Sequence, residues 1–251
     1  MDDNMEQWRA GKVIENRHWN ERLCSLRVDV ELPKFKAGQF TRIGLPDGET
    51  MLARAYSLVN SPGEPYAEFY FNKVPDGPLS SRLHQLKAGD TLYLSATVAG
   101  FLTLAELPEC QHLWMLATGT ALGPFLSILK TEEVWQRMDK VILVHGVRSL
   151  DELTYQELIQ RLTKRYPEQF VTIAAITREQ VSGCLQQRIP DAIRSGDLER
   201  AAGMVLDPAL AHVMICGSPA MVEDSMTALK EKGLRKHRRR KPGHISVEIY
   251  K

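Results

Sequence analysis

Apolar residues recur along this chain with two periods, and the change from one to the other divides it. Up to about Thr97 they alternate with polar positions as strands do. Leu26, Val28 and Val30 interleave with Arg27 and Asp29, Phe69 and Phe71 with Glu68 and Tyr70, and Leu92 and Leu94 flank Tyr93. Turn chemistry separates these runs at Pro46-Asp47-Gly48, Ser61-Pro62-Gly63, Pro75-Asp76-Gly77 and Lys87-Ala88-Gly89-Asp90. Many short strands punctuated in this way predict an antiparallel barrel or sandwich, with one brief helix over 79–86.

After a linking stretch over 100–110, short apolar runs at 113–117, 141–147, 170–176 and 212–216 read as buried strands. Helical segments lie between them, the clearest at 151–166 and 220–232. Alternating strands and helices predict a parallel sheet covered on both faces, with ligands at the carboxyl ends of its strands. The final segment, 244–251, alternates like one more strand. Two domains follow: an antiparallel β-barrel over 1–102 and an α/β parallel-sheet domain over 103–251, each long enough to bury a core.

The stretch 113–129 joins a strand, a small-residue turn holding Gly119 and Gly123, and a segment with Leu122, Leu126 and Leu129 at helical spacing. Pro124 suits the first turn of that helix, because its missing N–H has no partner there. The helix amides then face the loop and attract an anion such as a pyrophosphate. The stretch departs from the G-x-G-x-x-G fingerprint, since Ala117 and Leu122 stand at glycine positions, and no Lys-Ser/Thr follows as in a P-loop. Alone it is equally an ordinary strand-to-helix turn.

Composition narrows the class. The 251 residues are 43% hydrophobic and 25% charged, with a formal charge of +1, so there is no global pull towards nucleic acid or membrane. No apolar run approaches the ~20 residues that span a bilayer. The first twenty residues, with Asp2, Asp3, Glu6, Arg9, Lys12 and Glu15, hold no signal-peptide core, which predicts a cytoplasmic protein. Cys24, Cys110, Cys184 and Cys216 stand far apart without a C-x-x-C pair, so neither a zinc site nor an iron–sulfur cluster is expected. His145 and His212 lie on or beside apolar strands and read as core histidines. The basic run from Lys230 to Lys241 reads either as a docking patch for an acidic partner or as a solvated surface. It lacks the interleaved aromatics of a nucleic-acid footprint.

Three groups of residues carry candidate chemistry. Arg54-Ala55-Tyr56-Ser57 sets a cation, a ring and a hydroxyl on one strand, with alternation sending Arg54 and Tyr56 to one face. Asp76-Gly77-Pro78-Leu79-Ser80-Ser81 opens a helix, either as a phosphate-binding turn or as a plain Ser N-cap. Arg148 follows the strand ending at Val147, Thr177-Arg178 the next strand, and Arg188 comes shortly after. Arginines there suit a ribose 2′-phosphate, whereas a carboxylate would suit a free 2′-hydroxyl, so NADP is favoured over NAD.

The Arg-x-Tyr-Ser strand, the Gly-x-Leu-Ser helix start and the Ala-Thr-Gly-Thr loop, in this order and spacing along nearly the whole chain, resemble the bacterial branch of the ferredoxin–NADP reductase family. The resemblance implies a six-stranded FAD-binding barrel followed by an NADP-binding α/β domain. It implies that Arg54 holds the FAD diphosphate, Tyr56 stacks on the flavin and Ser57 hydrogen-bonds near flavin N5. Ala55 accompanies them, Tyr70 lines the flavin, and Pro78, Leu79 and Ser80 meet the diphosphate. Thr120 completes the flavin pocket. Val147, Arg148, Thr177, Arg178, Arg188, Ser218, Pro219, Ala220 and Asp224 would serve NADP. Cys216 would lie by the nicotinamide, Glu248 near the reacting atoms, and an aromatic near the terminus, here Tyr250 before Lys251, over the cofactor.

The implied function is a flavoenzyme that passes electrons between NADP(H) and a one-electron carrier, ferredoxin or flavodoxin, by hydride transfer to or from FAD. A monomer is expected. The alternatives are an NAD(P)H-dependent flavin or ferric reductase of the same fold, and a non-catalytic protein that holds an acidic partner through the basic run.

Overall fold

In a computed structural model that describes residues 8–250, the alternating first half forms a six-stranded antiparallel sheet. Residues 1–7 and 251, including Asp2, Asp3, Glu6 and Lys251, lie outside the described residues. The strands are β1 (Trp8–His18), β2 (Leu23–Asp29), β3 (Phe40–Asp47), β4 (Thr50–Ser57), β5 (Ala67–Asn72) and β6 (Thr91–Ala99), with helix α1 (Pro78–Gln85) between the last two. Their order is β4-β3-β6-β1-β2-β5. The sheet closes just past β4, where Val59 N donates to Glu68 O at 2.8 Å and Leu58 bridges Phe69, leaving few free edge groups. Leu26, Val28, Ile43, Phe69, Phe71, Leu92 and Leu94 fill the interior with Leu79 and Leu83 of α1. Asn16 Nδ2 donates to the carbonyls of Leu83, His84 and Leu86, satisfying the otherwise orphaned end of α1 from a neighbouring strand.

One expectation changes here. β5 is not half-buried: Glu68 and Tyr70 are as buried as Phe69 and Phe71. Residues 123–131 belong to this compact unit and cover that outer face. Lys130 Nζ lies 3.4 Å from Glu68 Oε2, and Ser127 Oγ donates to Asn60 O at 2.6 Å. The period of two records which face a side chain takes, but not whether a distant segment covers that face.

The second unit runs from Leu104 to Leu122 and from Glu132 onward. It holds β7 (His112–Thr118), β8 (Lys140–Val147), β9 (Phe170–Ile176), β10 (Ala211–Gly217) and β11 (Ile245–Ile249), parallel in the order β11-β10-β7-β8-β9. After a 3-10 turn over Gly119–Leu122 the chain forms α2 (Gly123–Leu129), which belongs to the first unit. The later helices are α3 (Glu132–Arg137), α4 (Gln156–Arg165), α5 (Ile189–Ser195), α6 (Asp197–Ala202) and α7 (Pro219–Glu231). α3, α5 and α6 are missed by periodicity, because six or seven residues are too few to show a 3.6-residue repeat. The helix expected from 151 begins at Gln156. Before it Leu150–Glu152 forms a 3-10 turn, and Tyr155 takes a left-handed φ of 57°.

His145 and His212 are both buried, with His145 Nε2 3.1 Å from Gly119 O and His212 Nε2 2.9 Å from Ser246 Oγ. Burial depresses the imidazole of His145 to about 4 and that of His212 to about 3. A folded pKa below the unfolded value of about 6.5 means that acid protonates the unfolded chain first. The contribution is therefore complete above pH 6.5 and declines as pH falls towards the folded pKa. His145 alone is expected to remove about 2 kcal/mol of stability between pH 6.5 and 5. Urea unfolding across that range should show a shallower pH dependence for His145→Gln; parallel curves would contradict the assignment.

Candidate active site

In the first unit the Arg54–Ser57 segment ends β4, paired with Phe40–Ile43 of β3. Arg54 and Ala55 are exposed, Tyr56 is partly buried and Ser57 is buried. Tyr56 meets Phe71 edge-on with ring centroids 6.2 Å apart. Burial pushes its hydroxyl up to about 12 against the opposing charge of Arg54, so the ring stays neutral. Arg54 Nη1 donates to Ala53 O at 2.8 Å, which fixes the side chain while the residue remains exposed. A guanidinium there suits a phosphate, and a rigid ring beside it suits a flat heterocycle.

α1 packs against β4. Its N-cap is Gly77, which has no side chain to cap the helix, so the plain Ser N-cap is corrected. Ser80 Oγ instead accepts from Val74 N at 3.1 Å. A Cβ on Gly77 would lie 2.6 Å from Ser80 Oγ and 3.0 Å from Val74 Cβ, so a side chain there would displace the Ser80 hydroxyl from Val74 N. Pro78 is exposed, while Leu79 and Ser80 are buried at the N2 and N3 positions, whose amides have no intrahelical acceptor. Such amides form an anion site. Tyr70 is 4% exposed on the same face of β5 as Glu68.

In the second unit the chain reverses its direction of growth between β7 and β10, and the crevice at such a point is where α/β sheets bind ligands. Thr118 ends β7 there, wedged between two glycines. A Cβ on Gly217 would lie 2.7 Å from Thr118 Oγ1, and one on Gly146 3.0 Å from Thr118 Cγ2. Gly119 has φ 53°, and Thr120 lies half-buried in the 3-10 turn. The amides expected of the following helix are those of this turn, because α2 is buried throughout its seven residues. Ser218, Pro219 and Ala220 are exposed at the start of α7, with Ser218 Oγ accepting from Met221 N.

Cys216 is fully buried opposite Glu248 in the β10–β11 register. Burial and the charge of Glu248 raise its thiol well above the ordinary range, with a hydrogen bond from Tyr250 acting the other way. The thiol stays protonated at neutral pH, which suits packing and positioning rather than nucleophilic attack. Tyr250 N donates to Gly217 O at 2.9 Å and ties the last residues to this crevice.

The ends of β8 and β9 are stitched together: Thr177 N donates to Val147 O at 3.1 Å and Arg178 N to Arg148 O at 2.8 Å. Arg148 and Arg178 are thereby brought side by side. Sequence reading missed Glu152, whose carboxylate accepts from Arg148 N at 3.0 Å and from the guanidinium at 2.5 and 3.0 Å. This acid, shortly after the end of β8, is thus engaged by an arginine. Arg188 is the N-cap of α5 and pairs with Asp224 at 2.9 Å, joining two of the proposed NADP positions to each other.

A family model described as an oxidoreductase NAD-binding domain matches residues 115–227, most of which lie in the second unit. The flavodoxin/ferredoxin–NADP reductase of Escherichia coli (strain K12) is 46% identical over 98% of this chain and 100% of its own. The ferredoxin–NADP reductase of Azotobacter vinelandii is 37% identical over 97% and 98%. A crystal structure of a ferredoxin NADP+ reductase from Neisseria gonorrhoeae with bound FAD and NADP superposes with a TM-score of 0.93 at 33% identity, covering 97% of this chain and 98% of that one. The chain belongs to the ferredoxin–NADP reductase family.

Proposed function

We propose that this chain is a flavoenzyme that moves electrons between NADP(H) and a one-electron carrier protein, ferredoxin or flavodoxin. FAD would be held in a barrel domain over 1–102 and NADP(H) in an α/β domain over 103–251. The observation that carries this reading is the β7–β10 crevice. There an exposed α7 N-terminus and the 3-10 turn flank the carboxyl ends of β7 and β10, in the same unit as Arg148, Arg178 and Arg188. The barrel fits FAD through an exposed guanidinium on Arg54, the ring of Tyr56 and an α1 start without a side-chain cap.

Bound FAD supplies the conversion between two-electron chemistry with NADP(H) and one-electron chemistry with the carrier. In this reading Arg54 and the Leu79 and Ser80 amides bind the diphosphate, with Ala55 and Pro78 shaping the approach, while Tyr56 and Tyr70 wall the flavin. Ser57 offers its hydroxyl near flavin N5. Cys216 positions the nicotinamide, and the Glu248 carboxylate lies beside Cys216 in the β10–β11 register. Val147, Thr177, Ser218, Pro219, Ala220 and Asp224 shape the NADP site around the arginines.

The carrier would dock on the basic run. Arg235, Lys236, Arg238, Arg240 and Lys241 are exposed, while Arg239 pairs with Glu106 at 2.9 Å. Charge complementarity with an acidic carrier speeds encounter. A monomer working in the cytoplasm fits four free cysteines, and no helix among the described residues is long and apolar enough to cross a membrane.

The test is the visible spectrum of the purified chain, followed by turnover with flavodoxin or ferredoxin against free flavin and ferric complexes. A flavin spectrum, FAD release on denaturation and preference for the protein carrier are expected. Preference for the small acceptors would favour a flavin or ferric reductase, and a colourless protein that fails to take up FAD would overturn the flavoenzyme.

A further inference from the structure

Outside the crevice and the α1 start, one cluster of metal-ligating side chains stands out, at the opposite end of α1. His18 ends β1, Cys24 lies directly across from it in β2, and His84 is in the last turn of α1. One ligand atom from each lies within 4.8 Å of the other two, and the two imidazole centroids are 4.3 Å apart at 51°. Ligands of a tetrahedral zinc ion, bonded at about 2.0 to 2.3 Å, are about 3.4 to 3.7 Å from one another. Small side-chain rotations close that difference. We propose that His18, Cys24 and His84 form a binding site for a borderline-soft divalent cation, zinc by preference.

The frame around the three residues is already fixed. Asn16, two positions before His18 on β1, donates to the carbonyl of His84 itself and to those of Leu83 and Leu86, so strand and helix are tied together beside the ligands. The hairpin that carries His18 and Cys24 is closed by Trp19 N on Leu23 O at 2.8 Å. Asn20 Oδ1 accepts from Arg22 N and Leu23 N within it. His84 Nε2 is 3.2 Å from Glu21 O. A ring donating Nε2–H to that carbonyl keeps the lone pair on Nδ1 for a metal, the usual support of a ligating histidine.

The donor set decides the ion. One thiolate and two imidazoles suit zinc and related borderline ions, whereas magnesium and calcium require oxygen ligands that are not in the set. Three protein ligands leave a fourth position for water. Loading replaces the Cys24 S–H bond by a sulfur–metal bond and releases the proton to solvent, with no change of oxidation state. The cysteine spacing gave no hint of this, because the partners are histidines brought in from a neighbouring strand end and a distant helix.

The experiment is a cobalt(II) titration of the untagged, metal-stripped holoenzyme, read in the red, beyond the absorption of oxidised flavin. One equivalent of cobalt should produce tetrahedral d–d bands that zinc abolishes. His18→Ala and His84→Ala, both outside the buried core, should each weaken binding by at least about tenfold, the loss expected even from removing a supporting group. Cys24→Ser should remove the thiolate charge-transfer band. The absence of red bands at saturating cobalt, or unchanged affinity in both histidine variants, would overturn the site. The readout does not depend on NADPH turnover, so its failure and that of the reductase reading are told apart.

Discussion

Replacing Arg148 and Arg178 together with alanine is expected to raise KM for NADPH at least about a hundredfold while leaving KM for NADH within about threefold. Each hydrogen bond to a charged group contributes about 1.5 to 3 kcal/mol, and RT ln 10 is about 1.4 kcal/mol, so deleting two guanidinium groups accounts for at least that factor. The selectivity follows because NADH lacks the 2′-phosphate that these groups would meet. Backbone hydrogen bonds between the β8 and β9 ends hold the two residues side by side. Glu152 sharpens the result, since its carboxylate is bound to Arg148 in the intact chain. In Arg148→Ala its carboxylate keeps the amide of residue 148 but loses the guanidinium that neutralises it, so its charge would repel a 2′-phosphate at the proposed site. The single Arg148→Ala variant should therefore shift preference towards NADH more than Arg178→Ala does. Steady-state kinetics with both nucleotides decide it, and equal losses for NADPH and NADH would place the 2′-phosphate elsewhere.

The parts of this site that were legible in the sequence are those set by local chemistry. Arg54, Tyr56 and Ser57 fall on a strand because alternation and the following turn put them there, and Ser218-Pro219-Ala220 open a helix because Ser caps and Pro tolerates its first turn. The two-domain division followed from the change of apolar period. What stayed hidden depends on distant partners. Thr118 matters because Gly146 and Gly217, on two other strands, leave room only for it. Glu152 resembles one more acid in a helical stretch until its contact with Arg148 is seen. The Gly77 cap passed for a serine cap because Ser80 and Ser81 follow closely, yet Ser80 turns back to Val74. The burial of both faces of β5 requires residues 123–131, which no pattern within 67–72 can report.

That covered face carries the other large expected effect. Glu68 has a side chain only 2% exposed, with Lys130 Nζ and Arg27 Nε each 3.4 Å from its Oε2. A carboxylate taken so far out of water persists as an ion only with cations beside it, and removing one partner of a buried pair typically costs about 3 to 5 kcal/mol. Lys130→Met keeps the stem and deletes the charge, so the loss is electrostatic rather than a cavity. Because Arg27 remains, the lower figure of about 3 kcal/mol applies, and roughly 6 to 12 °C in Tm follows for a chain of this size. Lys130 also reaches Glu64, where burial pushes the carboxyl up but the Tyr66 hydrogen bond, the Lys130 charge and Ser61 hold it below its usual range. The double variant Lys130→Met with Glu68→Gln removes the buried charge along with its partner and should recover more than half of the loss, a coupling that a double-mutant cycle measures. Glu68 and Tyr70 share a face of β5, so flavin release on heating should shift to lower temperature with the single variant and return with the double. A single variant within about 0.5 kcal/mol of the parent would show that the carboxylate draws its stability from Arg27 and its hydrogen-bond partners instead.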